Sequence, residues 1–240
     1  MQTLLISSTK KSSGKTIVTI GLVGLATKLG YSVQTFKKGP DFIDPSWLSH
    51  VSKRPCFNLD FNTMSTNEIK STYQTRVNGS DMGIIEGTKG LYDGISTDGR
   101  DSNAELAKLL RTEVLLIIDC KGITRGIAPL LQGYKKFDNK LKLNQVLLNH
   151  VSTSRHEGKL LSAIKQYTDF KVLGAIPPIN NLIDDLKMIS WEAAEILLFY
   201  SRILKDSNSK NNILKNGNMD DPVTLADLKV NDLIINRINE

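Results

Sequence analysis

The sequence predicts an α/β chain with a mostly parallel sheet, helices on both of its faces and a short helical C-terminal extension. Three observations carry that expectation. Short apolar runs bounded by polar turns recur from residue 3 to 177, helical patterns separate several of them, and the alternation stops after Pro177. Strands that alternate with helices build parallel sheets, because a parallel crossover needs a helix-sized connection. In chain order the strands are TLLISS (3–8), SVQTF (32–36), MGIIEG (82–87), VLLIIDC (114–120), QVLLNHV (145–151) and VLGAIP (172–177). Unbroken apolar runs of this kind suit strands buried on both faces. Helices are expected over 15–29, near 66–77, and over 103–111, 124–136 and 155–167. The third has a clear start, since Ser102 and Glu105 in SNAE form a capping box before ELAKLL. Residues 1–178 then make the main domain and 179–240 the extension. Within the extension, an apolar helix covers 179–205, a polar Asn-rich linker covers 206–222, and a short docking helix covers 223–240.

The first strand runs into STKKSSGKT (8–16), and a helix follows. A strand, a loop of small residues ending in Gly-Lys-Thr, and a helix form the setting of a phosphate-binding loop, and the fold becomes P-loop NTPase-like. Backbone N–H groups of the loop (Thr9, Lys10, Ser12, Ser13, Gly14) and of the helix start would face the phosphates. Lys15 would add charge at the β and γ phosphates of ATP, and the Thr16 hydroxyl would bind Mg²⁺. The pattern is imperfect. The first glycine of the usual motif is replaced by Thr9, and Ser12 and Ser13 stand where glycine would ease tight backbone angles. The loop alone names no reaction, because switches, motors, kinases and ligases share it.

Composition narrows the remaining classes. The chain has 240 residues, 40% hydrophobic and 23% charged, enough for one sizeable core. Its formal charge of +6 is spread without a basic run, which argues against a nucleic-acid partner and suits an acidic small molecule. Cys56 and Cys120 lie far apart without C-x-x-C spacing, so neither a zinc site nor a disulfide framework is indicated. No apolar run reaches the ~18 residues of a membrane span, and no signal-peptide pattern opens the chain, so a cytoplasmic protein with no membrane partner is expected.

Acids cluster at the predicted strand ends. Asp41 and Asp44 stand in GPDFIDPSW (39–47), between prolines that rule out a continuous helix through both. Glu86 ends MGIIEG, and Asp93 follows in GLYDG (90–94). The carboxyl edge of an open α/β sheet is where ligands bind, and acids beside a triphosphate call for a divalent metal. Turn chemistry is the plainer account of Asp93 next to Gly94.

Four segments then resemble one family. KKGPDFIDPSWLSHVSKRPCFNLD (37–60), EGTKGLYDG (86–94), SNAELAKLL (102–110), and LNHVSTSRH (148–156) paired with VLGAIP are similar to the synthetase domain of the cobyrinic acid a,c-diamide synthase family. The resemblance covers roughly residues 3–178 and implies a dethiobiotin-synthetase-like P-loop fold. It also implies a reaction: ATP phosphorylates a side-chain carboxylate of cobyrinic acid or a related acidic tetrapyrrole, and ammonia displaces phosphate to leave a carboxamide. By position, Thr16, Asp41 and Glu86 would hold Mg²⁺, and Lys15 would stabilise the transferring phosphoryl group. Asp44 and Asp93 would order the acyl-phosphate site or guide ammonia. Asn149, with the backbone near Pro177, falls where related folds read adenine, and an Asn at a strand end is equally a plain turn residue. Arg155 and His156 would meet substrate carboxylates or lie on a solvated helix start. A homodimer is the implied assembly.

The chain departs from the family's pattern in several places. Neither cysteine has the strand-to-helix elbow of a glutaminase nucleophile, so no glutamine amidotransferase domain is expected and ammonia would come from a separate glutaminase subunit or from solution. Thr88-Lys89 stand where relatives carry apolar residues. Lys10 has the spacing of the signature lysine of partitioning and septum-site ATPases, which sandwich ATP in a dimer. Two alternatives follow: a dethiobiotin-synthetase-like ligase, and a dimeric nucleotide switch binding a partner. The first leaves GPDFIDP unexplained, and the second expects an aspartate motif where this chain has a Pro-bounded acidic loop.

Overall fold

The computed structural model describes residues 2–179 together with 229, 230 and 232. Apart from Ile179 and those three positions, the expected segments 179–205, 206–222 and 223–240 lie outside the described residues. The chain divides into two units, Met1–Pro178 and Ile179–Glu240, and the first carries the fold described below.

The elements are β1 (Gln2–Ser8), α1 (Lys15–Lys28), β2 (Val33–Lys38), α2 (Ile43–Ser52), β3 (Phe57–Leu59), α3 (Thr66–Val77), β4 (Met82–Glu86), α4 (Asn103–Leu110), β5 (Glu113–Asp119), α5 (Ile127–Phe137), β6 (Lys142–Asn149), α6 (Ser154–Tyr167) and β7 (Lys171–Ile176). Seven parallel strands lie in the order β3-β2-β4-β1-β5-β6-β7. Alternate residues of each strand serve opposite faces. Ile6, Val33, Ile84, Leu115 and Ile117 pack under α1 and α2 with Val18, Val23 and Leu48. Leu5, Phe36, Ile85, Leu116 and Ile118 pack under the other four helices with Ile69, Leu106, Leu131 and Leu160. Helices therefore cover both faces, and every strand runs its carboxyl end to one edge.

Two elements were not expected. Residues 43–52 form α2, so Asp44 lies in a helical first turn instead of a loop. Pro45 is compatible with this, because first-turn N–H groups have no partner inside the helix. Asp41 stays outside and starts the helix, its Oδ1 accepting from the N–H groups of Ile43 (3.0 Å) and Asp44 (3.2 Å). The prolines do prevent one helix from containing both acids. β3 is three residues long, too short to show a period, and is defined by pairing with β2. Helix α5 begins at Ile127 instead of 124, after a turn with Gly122 at φ 69°. Ser65 with Glu68 caps α3, and the Ser102 hydroxyl accepts from Glu105 N–H at the start of α4.

Candidate functional site

The loop between β1 and α1 is held by its own small side chains. Ser8 Oγ donates to the Lys10 carbonyl (2.6 Å), and Ser13 Oγ donates to the same oxygen (2.9 Å). Tyr134 Oη donates to the Thr9 carbonyl (2.8 Å), and Asn149 Nδ2 donates to the Ser13 carbonyl (2.9 Å). Ser12 and Gly14 take left-handed backbone conformations, φ 61° and 83°, so the loop bends where glycine was anticipated and one serine tolerates it. Helix α1 has no side-chain cap and no acid in its first turn. Its first N–H groups are left for an anion. Lys15 folds back, Nζ donating to Ser8 Oγ (3.1 Å). Burial, then the nearby Lys37 ammonium, lowers its pKa against the opposing pull of Glu86, Asp44 and Asp93.

Beside the loop lies an acid cluster organised by a residue that sequence reasoning missed. Lys37, on β2 and 3% exposed, contacts Asp44, lies 3.0 Å from Glu86 Oε1, and lies 3.8 Å from Asp41 Oδ2. Thr16 Oγ1 donates to Glu86 Oε1 (2.6 Å) and lies 3.4 Å from Asp44 Oδ2. Glu86 is fully buried, and its other oxygen, Oε2, has no hydrogen-bond partner. Burial dominates at Glu86 and pushes its pKa up despite Lys37 and Thr16. At Lys37 burial pulls the pKa down, but Glu86 and Asp44 together outweigh it and the net direction is up. The asymmetry is physical: one ammonium serves three acids. Lys37 was legible in principle, because two more residues on the strand read as 32–36 place it at the carboxyl edge, in register with Glu86.

The segment after β4 is clamped over the phosphate loop. Asn103 Nδ2 lies within hydrogen-bond distance of Ser7 Oγ (3.0 Å), the Gly90 carbonyl (2.9 Å) and the Thr88 carbonyl, and its Oδ1 accepts from Thr88 N–H (3.1 Å). A side chain at Gly87 would run into that amide. Asp93 Oδ2 accepts from Gly90 N–H (3.1 Å), which fixes the exposed Asp93 beside the phosphate loop. Buried Asp101 accepts from Ile95 N–H (2.7 Å) and Ser96 N–H (3.1 Å). Burial opposes its charge, yet these N–H groups and Lys38 hold its pKa below the usual carboxylate range. Stabilisation of this sign is present above the unfolded pKa and is lost as pH falls through the folded one. Asp101→Asn is therefore expected to cost about 1–3 kcal/mol at neutral pH. In chemical denaturation, its deficit against wild type should shrink as the pH is taken into the acid range.

On the far side of the loop, β6 and β7 end together, with Val151 N–H donating to the Ile176 carbonyl (2.9 Å) and the exposed Pro177 next in line. Asn149 is buried under Gly14 with its amide nitrogen committed to Ser13. Lys10 pairs with Asp119 of its own chain (3.1 Å), and Asp119 also holds His150 Nδ1 (2.9 Å). His156 Nε2 donates to the Ile123 carbonyl (2.7 Å) while Nδ1 accepts from Ser152 N–H (3.3 Å), so its ring fastens the start of α6; Arg155 is exposed. Thus Thr9, Lys10, Ser12, Ser13, Gly14, Lys15, Thr16, Asp41, Asp44, Glu86, Asp93, Asn149 and Pro177 all lie along one edge of the sheet.

A small-residue loop between a strand and a helix, a lysine and a hydroxyl opening that helix, and carboxylates on the neighbouring strands define the class as a P-loop NTPase-like nucleotide-binding domain. The signal recognition particle receptor FtsY of Elizabethkingia anophelis shares this fold, with a TM-score of 0.51 at 15% identity over 71% of this chain and 56% of that one. The chain belongs to the family described as CobQ/CobB/MinD/ParA nucleotide binding domain, which matches residues 4–187. It is 44% identical over 182 residues to the cobyrinate a,c-diamide synthase of Magnetococcus marinus, covering 76% of this chain and 39% of that protein. Against the cobyrinate a,c-diamide synthase of Methanosarcina acetivorans it is 40% identical over 178 residues, covering 72% and 36%. The chain spans about two fifths of the length of these curated relatives. No described helix is long and apolar enough to cross a membrane.

Proposed function

We propose that this domain is an ATP-dependent carboxylate-amine ligase that activates a side-chain carboxylate of cobyrinic acid or a related tetrapyrrole for amidation. The observation that carries the proposal is the buried, unpartnered Oε2 of Glu86, set beside Thr16 and Asp44 at the foot of a phosphate loop. The relatives' names supply the substrate class.

The donor set suits Mg²⁺, a hard cation that takes oxygen ligands and is usually held by one or two carboxylates together with substrate phosphates. Among the described residues no three His, Cys, Asp or Glu side chains form a metal cage of their own. We assign it to Thr16, Glu86 and Asp44, with Asp41 at the edge because one Asp41 oxygen starts α2. When bound, the ion neutralises phosphate charge in the transfer.

The chain's own groups do the rest. N–H groups of residues 10–16 and the Lys15 ammonium bind the β and γ phosphates, so that charge developing on the oxygens meets fixed donors. Lys37 holds Asp44 and Glu86 in place and limits their repulsion of the triphosphate. A substrate carboxylate oxygen attacks the γ phosphorus, the bond to ADP breaks, and an acyl phosphate forms. Ammonia then attacks the acyl carbon and loses a proton, and phosphate leaves. Asp93, exposed beside the Lys15 charge, is assigned to receive ammonia. Asn149 Oδ1 remains as an acceptor for the adenine amine. Ammonia from a glutaminase partner or from solution, and the pairing of two copies, belong to the same proposal.

The test is phosphate release with Mg-ATP and ammonium, with and without cobyrinic acid, followed by mass spectrometry of the macrocycle. Release that requires the macrocycle, with replacement of carboxyl OH by NH₂, is expected. ATP hydrolysis indifferent to it would discard the ligase in favour of a nucleotide switch.

A further inference from the structure

Lys38 is a buried cation that the phosphoryl chemistry does not use. It ends β2 directly after Lys37, but successive strand residues face opposite sides, so it points away from Lys15, Thr16 and the acid cluster. It is 7% exposed. It makes no hydrogen bond or ion pair with any described residue, and the charges that reach it are Asp101, Asp60 and Lys89. Both nearby carboxylates are engaged elsewhere. Asp101 holds the backbone of Ile95 and Ser96, and Asp60 holds Asn62 and Thr63.

An ammonium largely withdrawn from water without a hydrogen bond or ion pair is costly, and its pKa falls accordingly, with burial the leading cause. The side-chain atoms fully enclosed without a partner, among the described residues, are Thr35 Oγ1, Asn58 Oδ1, Glu86 Oε2 and Thr112 Oγ1. Lys38 Nζ is not one of them, so it is not fully enclosed. A second cation stands near. A Cβ on Gly39 would touch Thr88 at 3.8 Å, which brings the turn after β2 against the turn after β4. Lys89 follows Thr88 in a left-handed conformation, φ 49°, with its ammonium 3.3 Å from the Gly94 carbonyl.

We propose that Lys38, with Lys89 beside it, is a receptor for a carboxylate of the substrate other than the one being phosphorylated. Lys37 meets the acid cluster from the opposite side of β2, so the anion argued for Lys38 is an organic carboxylate and not the phosphates assigned to Lys15. A substrate with several carboxylates can present one to the phosphate loop while a second is gripped by Lys38, and that grip selects which one reacts. The inference rests on the ligase reading for its substrate, and its test separates the two.

Lysine ¹³Cε signals of labelled protein would be followed during titration with glutarate, against sodium chloride at matched ionic strength, with Lys38→Met identifying the signal. The Lys38 signal is expected to move with glutarate alone. Lys38→Met should weaken cobyrinic acid binding by roughly tenfold or more, as loss of a charge-assisted bond predicts, with Mg-ATP binding unchanged. Lys89→Met, at an exposed position that does not threaten folding, should weaken it by a smaller factor in the same direction. A Lys38 signal indifferent to saturating glutarate overturns the receptor. So does cobyrinic acid affinity unchanged in both variants. A signal that responds to glutarate in a protein that does not bind cobyrinic acid retains the receptor and rejects the macrocycle.

Discussion

Alanine in place of Gly14 is expected to abolish nucleotide binding and to destabilise the domain by about 2–4 kcal/mol. Two effects add. Gly14 sits at φ 83°, where an L side chain is strained by roughly 1–2 kcal/mol. The new methyl would also press into Asn149 Nδ2, which donates to the Ser13 carbonyl from a buried position. Displacing it leaves a buried donor and acceptor unmatched. Urea denaturation and a nucleotide titration of Gly14→Ala, Asn149→Ala and the double variant check this. The double variant should recover the clash but not the backbone strain, so the two losses should fall short of additive. Full additivity would mean that the residues do not interact.

Methionine in place of Lys37 should be the most damaging change in the acid cluster. It keeps the length and apolar stem of the side chain but leaves Glu86, fully buried, with Thr16 alone. Breaking a buried ion pair by removing one partner costs about 3–5 kcal/mol. The pH dependence gives the cause. A carboxylate whose folded pKa is raised loses stability as pH rises through that pKa, so the deficit of Lys37→Met should widen with rising pH and narrow as Glu86 takes up a proton. Lys37→Met combined with Glu86→Gln should restore most of the stability and none of the phosphate release. A deficit that ignores both pH and Glu86→Gln would place the role of Lys37 in packing alone.

These two residues also show what the sequence could and could not reveal. Gly14 lay in a loop whose small residues, lysine and threonine were legible as a phosphate-loop pattern, because the setting of strand, loop and helix is local. The strands were legible for the same reason, since two-sided burial demands unbroken apolar runs. Lys37 was harder. A lysine after SVQTF looks like the polar end of a strand until β4 is set beside β2 and brings Glu86 opposite it. Helix α2 was hidden by its own punctuation. Pro45 reads as a break but occupies a first turn that has no N–H to lose, and Asp41 starts the helix with one oxygen, a role that its place between two prolines did not announce. Asn103 and Asp101 gave no warning, because the backbone groups they hold lie in a segment whose path only the folded chain defines.

The strand order has a consequence for how the chain is made. β1, which carries the phosphate loop, lies between β4 and β5, so neither of its neighbours exists until residues 82–119 have left the ribosome. During that interval an apolar strand with two open sides must wait, and parallel pairings between distant segments form slowly. The candidate nucleotide site is therefore completed only once β4 and β5 are made, although its loop directly follows β1.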